Sequence, residues 1–190
     1  MTAAPAGQPR IPPRIVRPGA FAPAFALAAR LSLSLLLATA AAAQAAEQGA
    51  RNPLRTFTPR SLALVQDATR VSETVRRLVD RLAASDLVVL VEVTDERFEY
   101  AGRTNFVTCA GGFRYVRIRV SGVMKPWDQI AVLGHELQHA VEVADAPEVA
   151  GDPTLAQLMT RIGRATRKLN YETDAAIAVT RQVEAEVRGR

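Results

Sequence analysis

The chain has 190 residues, with 24 Lys plus Arg against 19 Asp plus Glu and a formal net charge of +5. That length holds one domain of ordinary size, or a smaller one behind a leader segment. A content of 48% hydrophobic and 23% charged residues excludes a disordered polyelectrolyte and a collagen-like fibre, and one cysteine excludes an internal disulfide framework or a cysteine-rich zinc module.

The positive charge suggests nucleic acid or a membrane surface as partner, but its distribution argues against both. Residues 1–45 carry Arg10, Arg14, Arg17 and Arg30 and no acid, which leaves 20 basic residues against 19 acidic ones in the rest. The remaining chain is nearly neutral and offers no basic face for nucleic acid.

Residues 1–45 read as an export signal. An Arg-bearing, proline-containing stretch ends at Arg30, an apolar run extends from Leu31 to Ala43, and Ala43-Gln44-Ala45 has the small-residue pattern of a cleavage site. The apolar run has 13 residues, short of the about 20 that span a bilayer. An uncleaved N-terminal anchor is the alternative, because the charged region is long. The protein is therefore expected to be exported, periplasmic or secreted, with membrane contact only if this segment is retained. Cys109 would then be unpaired, and it reads as a small buried hydrophobe.

Residues 46–57 read as a linker, and 58–190 as the functional domain. Thr58-Pro59 gives a helix cap followed by proline at the first helical position. From there Leu62, Val65, Thr69, Ser72, Val75, Leu78, Val79 and Leu82 recur at helical spacing, predicting one long helix over 59–84. Leu87 to Val91 is β-branched and apolar, as in a central strand. Residues 106–110 and 113–120 form two strand-like arms around Gly111-Gly112, a hairpin signal. In the second arm Val116, Ile118 and Val120 alternate with Tyr115, Arg117 and Arg119, so one face is core and the other a solvated or carboxylate-binding face.

Three helices are expected after the strands: from Pro126-Trp127-Asp128 to about Ala144 with Asp128 as cap, from Asp152-Pro153 to about Arg161, and from about Tyr171 to Arg188. The order of helix, small mainly antiparallel sheet and helices predicts an α+β domain.

Both histidines of the chain fall in Gly134-His135-Glu136-Leu137-Gln138-His139, the pattern H-E-x-x-H on a predicted helix. Chance places two histidines four apart in about one arrangement in a hundred, and a Glu in the required slot brings this to the order of one in two thousand. Helical residues four apart lie about 40° apart and one turn along, so His135 and His139 can converge on one Zn2+ ion. Glu136 is rotated away from the metal and can instead approach a metal-activated water as general base.

The third protein ligand must be a carboxylate or Cys109, since no histidine remains. Glu142 lies almost in line with His135 but about 10 Å further along the axis. It reads as a partner of His139 outside the metal, or as a surface acid. Glu172 falls in phase with Ala176, Val179, Val183 and Val187 and is the better ligand candidate, the alternative being an acid favoured by the start of a helix. Asp174 faces elsewhere and is expected at most near the ligands without touching the metal.

On these residues the chain resembles the zincin metallopeptidases, and within them the gluzincins. His135-Glu136-Leu137-Gln138-His139-Ala140-Val141 is similar to the active-site helix of thermolysin-like enzymes, and Asn170-Tyr171-Glu172-Thr173-Asp174-Ala175-Ala176 to their glutamate helix. The resemblance implies a zincin-like minimal core, zinc held by His135, His139 and Glu172, and a peptide or protein substrate aligned by an edge strand. Ala176 stands where the thermolysin-like pattern has Asp, and Tyr171, Tyr100 or Tyr115 would have to stabilise the oxyanion. The leading expectation is an exported zinc-dependent peptidase with Glu136 as general base. The alternative is a non-catalytic exported protein with a structural zinc site.

Overall fold

The computed structural model of the protein describes residues 52–95, 100–166 and 171–189. The export signal over 1–45 lies outside them. In chain order the elements are β1 (Leu54–Thr56), α1 (Pro59–Val71), α2 (Glu73–Ala83), β2 (Leu87–Thr94), β3 (Gly102–Ala110), β4 (Phe113–Ser121), α3 (Pro126–Ala144), α4 (Asp152–Ile162), β5 (Arg164–Ala165), β6 (Tyr171–Glu172) and α5 (Asp174–Arg188). The domain is thus mixed helix and sheet, as the element order predicts.

The local signals differ from the structure at several points, each for a physical reason. The linker expected over 46–57 ends in a strand: Leu54 is buried and β1 pairs with β2, a segment too short to carry a readable periodicity. The single helix expected over 59–84 is two helices, parted at Ser72. That residue is extended (φ −119°, ψ 119°), and its hydroxyl accepts the Val75 amide proton to cap α2. Glu186 of α5 holds the break by accepting from Ser72 and from Thr74. Pro126 rather than Asp128 opens α3; the cap is Lys125, and Asp128 sits in the first turn.

The sheet is mixed rather than mainly antiparallel. Its order is β1-β2-β4-β3, with β1–β2 and β2–β4 parallel and β3–β4 antiparallel. Gly111 and Gly112 turn the β3–β4 hairpin with positive φ (58° and 78°), as a two-residue turn requires. Burial decides which arm lies beside β2. Val116, Ile118 and Val120 of β4 are fully buried, whereas residues 107–110 of β3 are exposed. The more apolar arm takes the centre and β3 the edge. Cys109 is accordingly exposed and not a core residue, because it stands near the tip of that edge strand.

Helix α3 packs against α1, α2, α5 and the sheet. Its inward side chains Leu133, Leu137 and Val141 are fully buried against Val89, Val91, Val116 and Ile118. Apolar burial of this kind contributes about 25 cal/mol per Å2. On the opposite sheet face Glu92 lies 3.6 Å from Arg119 and 4.0 Å from Arg117, so these two arginines face an acid.

One cation lies inside the core. Arg114 is in phase with Val116, Ile118 and Val120 and is 6% exposed. Its Nε and Nη2 donate to both oxygens of Asp86 at 2.8 and 2.7 Å, and Nη1 and Nη2 donate to the carbonyls of Val143 (3.0 Å), Ala144 (3.2 Å), Ala146 (2.7 Å) and Val149 (3.3 Å). These are carbonyls at and after the end of α3, where the helical ladder stops; Val143 and Ala146 also accept from the Ala146 and Val149 amides at 3.1 Å. The Arg114 hydrogen bonds hold the Asp86 carboxyl below its ordinary value against a smaller opposing effect of burial.

Arg114→Met should therefore lower the unfolding free energy by about 3 kcal/mol, because it leaves Asp86 without its cationic partner and removes a donor from these carbonyls, of which, among the described residues, only Val143 and Ala146 keep a backbone partner in the turns after α3. Urea unfolding measures it. The depressed Asp86 pKa means that its contribution is complete above the unfolded value near pH 4 and is lost as pH falls through the lower folded value. The difference in urea midpoint between wild type and Asp86→Asn should shrink over that acid range.

Candidate metal centre

The helical spacing of H-E-x-x-H is realised on α3. The His135 and His139 rings meet edge to face with centroids 4.8 Å apart, and their Nε2 atoms are 3.2 Å apart. Glu172 Oε2 lies 2.8 Å from His135 Nε2 and 4.0 Å from His139 Nε2. Zinc ligands about 2.1 Å from a tetrahedral ion stand about 3.4 Å from one another, within the span of these three distances.

The outward ring nitrogens reveal what the inward ones present. Thr180 Oγ1 gives its single proton to Ala176 O at 2.9 Å, so at 2.9 Å it accepts from His135 Nδ1. Glu142 Oε2 is 2.8 Å from His139 Nδ1 and, as a carboxylate oxygen, also accepts. Both imidazoles therefore carry their proton on Nδ1 and direct the Nε2 lone pair inward. Glu172 Oε2 is buried and makes no hydrogen bond despite its closeness to His135. Two nitrogen lone pairs and a carboxylate oxygen thus converge, an arrangement that calls for a proton, a hydrogen-bond donor or a metal ion among them. Two imidazoles and a carboxylate are a donor set that suits zinc.

The titrations agree with this picture. Burial pushes the His139 pKa down, but the Glu142 hydrogen bond and the charges of Glu136, Glu142 and Glu172 outweigh it and leave the pKa raised. The His135 imidazole beside Glu172 holds its carboxyl below the ordinary range, against burial. Burial also opposes ionisation of Glu142, yet the hydrogen bonds from His139 and Thr173 lower its pKa overall.

Glu172 reaches the cluster by a route different from the expected one. It is not on a glutamate helix beginning at Tyr171. It lies on β6, where it pairs with Arg164 of β5, and α5 begins only at Asp174. Thr173 is extended (φ −97°, ψ 149°) and caps α5 by accepting the Ala176 amide proton at 3.1 Å. The same hydroxyl donates to Glu142 Oε1 at 2.6 Å. Glu142 therefore orients His139 with one oxygen and, with the other, fixes the residue next to Glu172. Asp174, expected near the ligands, is instead exposed and paired with Arg164, since the late start of α5 puts it on the first outward turn.

Glu136 is 6% exposed and accepts from Thr104 Oγ1 of β3 at 2.7 Å. Burial raises its pKa, against the pull of the two histidines. The cluster opens into a cavity of about 400 Å3 lined by Thr104 and Asn105 of β3, by Leu155 and Met159 of α4, and by Tyr100 and Tyr171. Tyr115, Arg117 and Arg119 do not line it. Thr104, Thr173 and Thr180 were not singled out by the sequence reading; a neutral hydroxyl has no charge or spacing pattern to betray it.

No family model, curated protein or solved structure matches the chain.

Glu142→Gln should weaken zinc binding by about 10- to 100-fold, measured by competition with a chromophoric chelator. Protons compete with metal at His139, so affinity falls as pH falls through its raised pKa. In Glu142→Gln that pKa drops, and the pH dependence of zinc binding should move to lower pH.

Proposed function

We propose that the protein is a zinc-dependent hydrolase acting on peptide bonds, built on a gluzincin-like site with His135, His139 and Glu172 as ligands. The observation that carries this reading is a buried carboxylate, Glu136, beside the convergent donor atoms of His135, His139 and Glu172, in a cluster that opens into a cavity. Structural zinc sites fill four positions with protein groups. Here the metal-ligand group found among the described residues has three members, His135, His139 and Glu172. That count favours hydrolysis over a purely structural zinc.

Zinc in this site supplies Lewis acidity to a carbonyl and to a water. Glu136 accepts the proton of the attacking water and passes it to the leaving amine. Its burial favours the role, because a desolvated carboxylate binds a proton more strongly than an exposed one. The outer edge of β3, unpaired among the described residues, borders the cavity and is where an extended peptide would lie. Tyr171 and Tyr100, which both line the cavity, are the candidates to face a developing oxyanion. Export to the periplasm or beyond belongs to the same proposal and rests on residues 1–45; among the described residues no helix is long and apolar enough to cross a membrane.

Glu136→Gln should keep stoichiometric zinc and lose about 10^2- to 10^4-fold in kcat on a mixed peptide library. Undiminished hydrolysis by that variant would overturn the mechanism. Zinc-dependent melting with no turnover by the wild type would favour a structural role for the metal.

A further inference from the structure

Glu136 is held from outside its own helix. Its carboxylate lies beneath β3, where Thr104 Oγ1 is 2.7 Å from Oε2 and 3.4 Å from the Glu136 backbone oxygen. A hydroxyl has one proton, and the shorter, charge-assisted bond to the carboxylate takes it. The other oxygen lies against Gly102: a Cβ there would come within 2.7 Å of Glu136 Oε1 and 2.9 Å of its Cγ. Residues 102 and 104 are two apart on a strand and so turn the same side to the helix. One carries no side chain and makes room for Oε1, while the other donates to Oε2. The carboxylate is thereby held through Oε2, with Oε1 lying against Gly102.

A buried carboxylate on a flexible three-torsion side chain has other rotamers. The outward nitrogens of the two histidines on α3 bond to Thr180 and Glu142 and do not hold the Glu136 carboxylate. Burial alone raises the proton affinity of Glu136 but does not aim it.

We propose that Thr104 is a positioning residue of the hydrolytic site, holding the Glu136 carboxylate by Oε2 in the orientation from which it takes the proton of the attacking water. This inference rests on the hydrolase reading given above. In ionised Glu136 both oxygens can accept, and Thr104 keeps its own proton while donating it in a hydrogen bond to Oε2. The Thr104 hydrogen bond fixes Oε2 against β3, and the carboxylate keeps lone pairs with which to receive and return the catalytic proton.

The test uses the full chain with Thr104→Val and Thr104→Ser. Valine has nearly the shape of threonine and a high strand preference, so β3 is retained. Thr104→Val should bind zinc in wild-type amount, lose about 10-fold or more in kcat and keep KM within about twofold. Thr104→Ser, which restores the hydroxyl, should recover most of that loss. A readout independent of turnover is the urea midpoint of the zinc-free protein in a cycle of Thr104→Val, Glu136→Ala and the double variant. Direct contact predicts that the double variant shifts the midpoint by less than the two single shifts combined.

Hydrolysis by the wild type with an unchanged kcat in Thr104→Val, or additive midpoint shifts, would overturn the inference and leave the hydrolase reading intact. Loss of zinc or a raised KM in Thr104→Val that serine does not rescue would also overturn it, making Thr104 a merely structural contact. A wild type that binds zinc and hydrolyses no peptide would overturn the hydrolase reading itself, and any catalytic role for Thr104 with it.

Discussion

Helix α3 ends against the guanidinium of Arg114, which bonds Asp86 and four backbone carbonyls in a place otherwise occupied by valine and isoleucine side chains. A buried cation with its donors filled ties the end of the helix to a central strand with directional bonds, where apolar packing alone would let it slide. The position of α3 along the sheet then sets where His135, Glu136 and His139 stand relative to β3. The same axial position brings Glu142 within reach of Thr173, so the fold anchor and the His135–His139–Glu172 cluster share one helix as their rigid element.

Three carboxylates surround the two histidines, and their environments part their chemistry. Glu136 is desolvated and has its pKa raised, which suits a group that takes and returns a proton. Glu172 lies against His135 with its pKa lowered and one oxygen left without a hydrogen bond, which suits a ligand. Glu142 is saturated by His139 and Thr173 and acts by orientation. The assignment of roles follows from solvation and hydrogen bonding and not from residue type, since all three are glutamates.

Much of the domain was legible along the chain. The H-E-x-x-H pattern needs only helical geometry to bring two imidazoles together, and α3 provides it over the expected residues. The β3–β4 hairpin followed from Gly111-Gly112, and Glu142 stood in the sequence as a possible partner of His139. Other features were illegible for definite reasons. The phase of Glu172 predicts a place on a helix from about Tyr171, yet it sits on a two-residue strand, because the Thr173 hydroxyl caps a helix that starts three residues later, at Asp174. The break at Ser72 leaves the apolar periodicity nearly unchanged on both sides, so periodicity could not show it. The parallel pairing of β2 with β4 joins segments separated by a whole strand, and no local pattern encodes that choice.

The sequence by itself determined the pair of histidines, the general-base candidate between them and the core-facing alternation of β4, since each depends on spacing within one element. Only the tertiary structure decided the third donor's route, the placement of a core arginine and the hydroxyls that aim the site. Thr104, Thr173 and Thr180 become meaningful through contacts 32, 31 and 45 residues away. A hydrogen bond between distant elements leaves no periodic trace in either of them. Its partners are specified only when packing has brought the two backbones to within one side chain's reach.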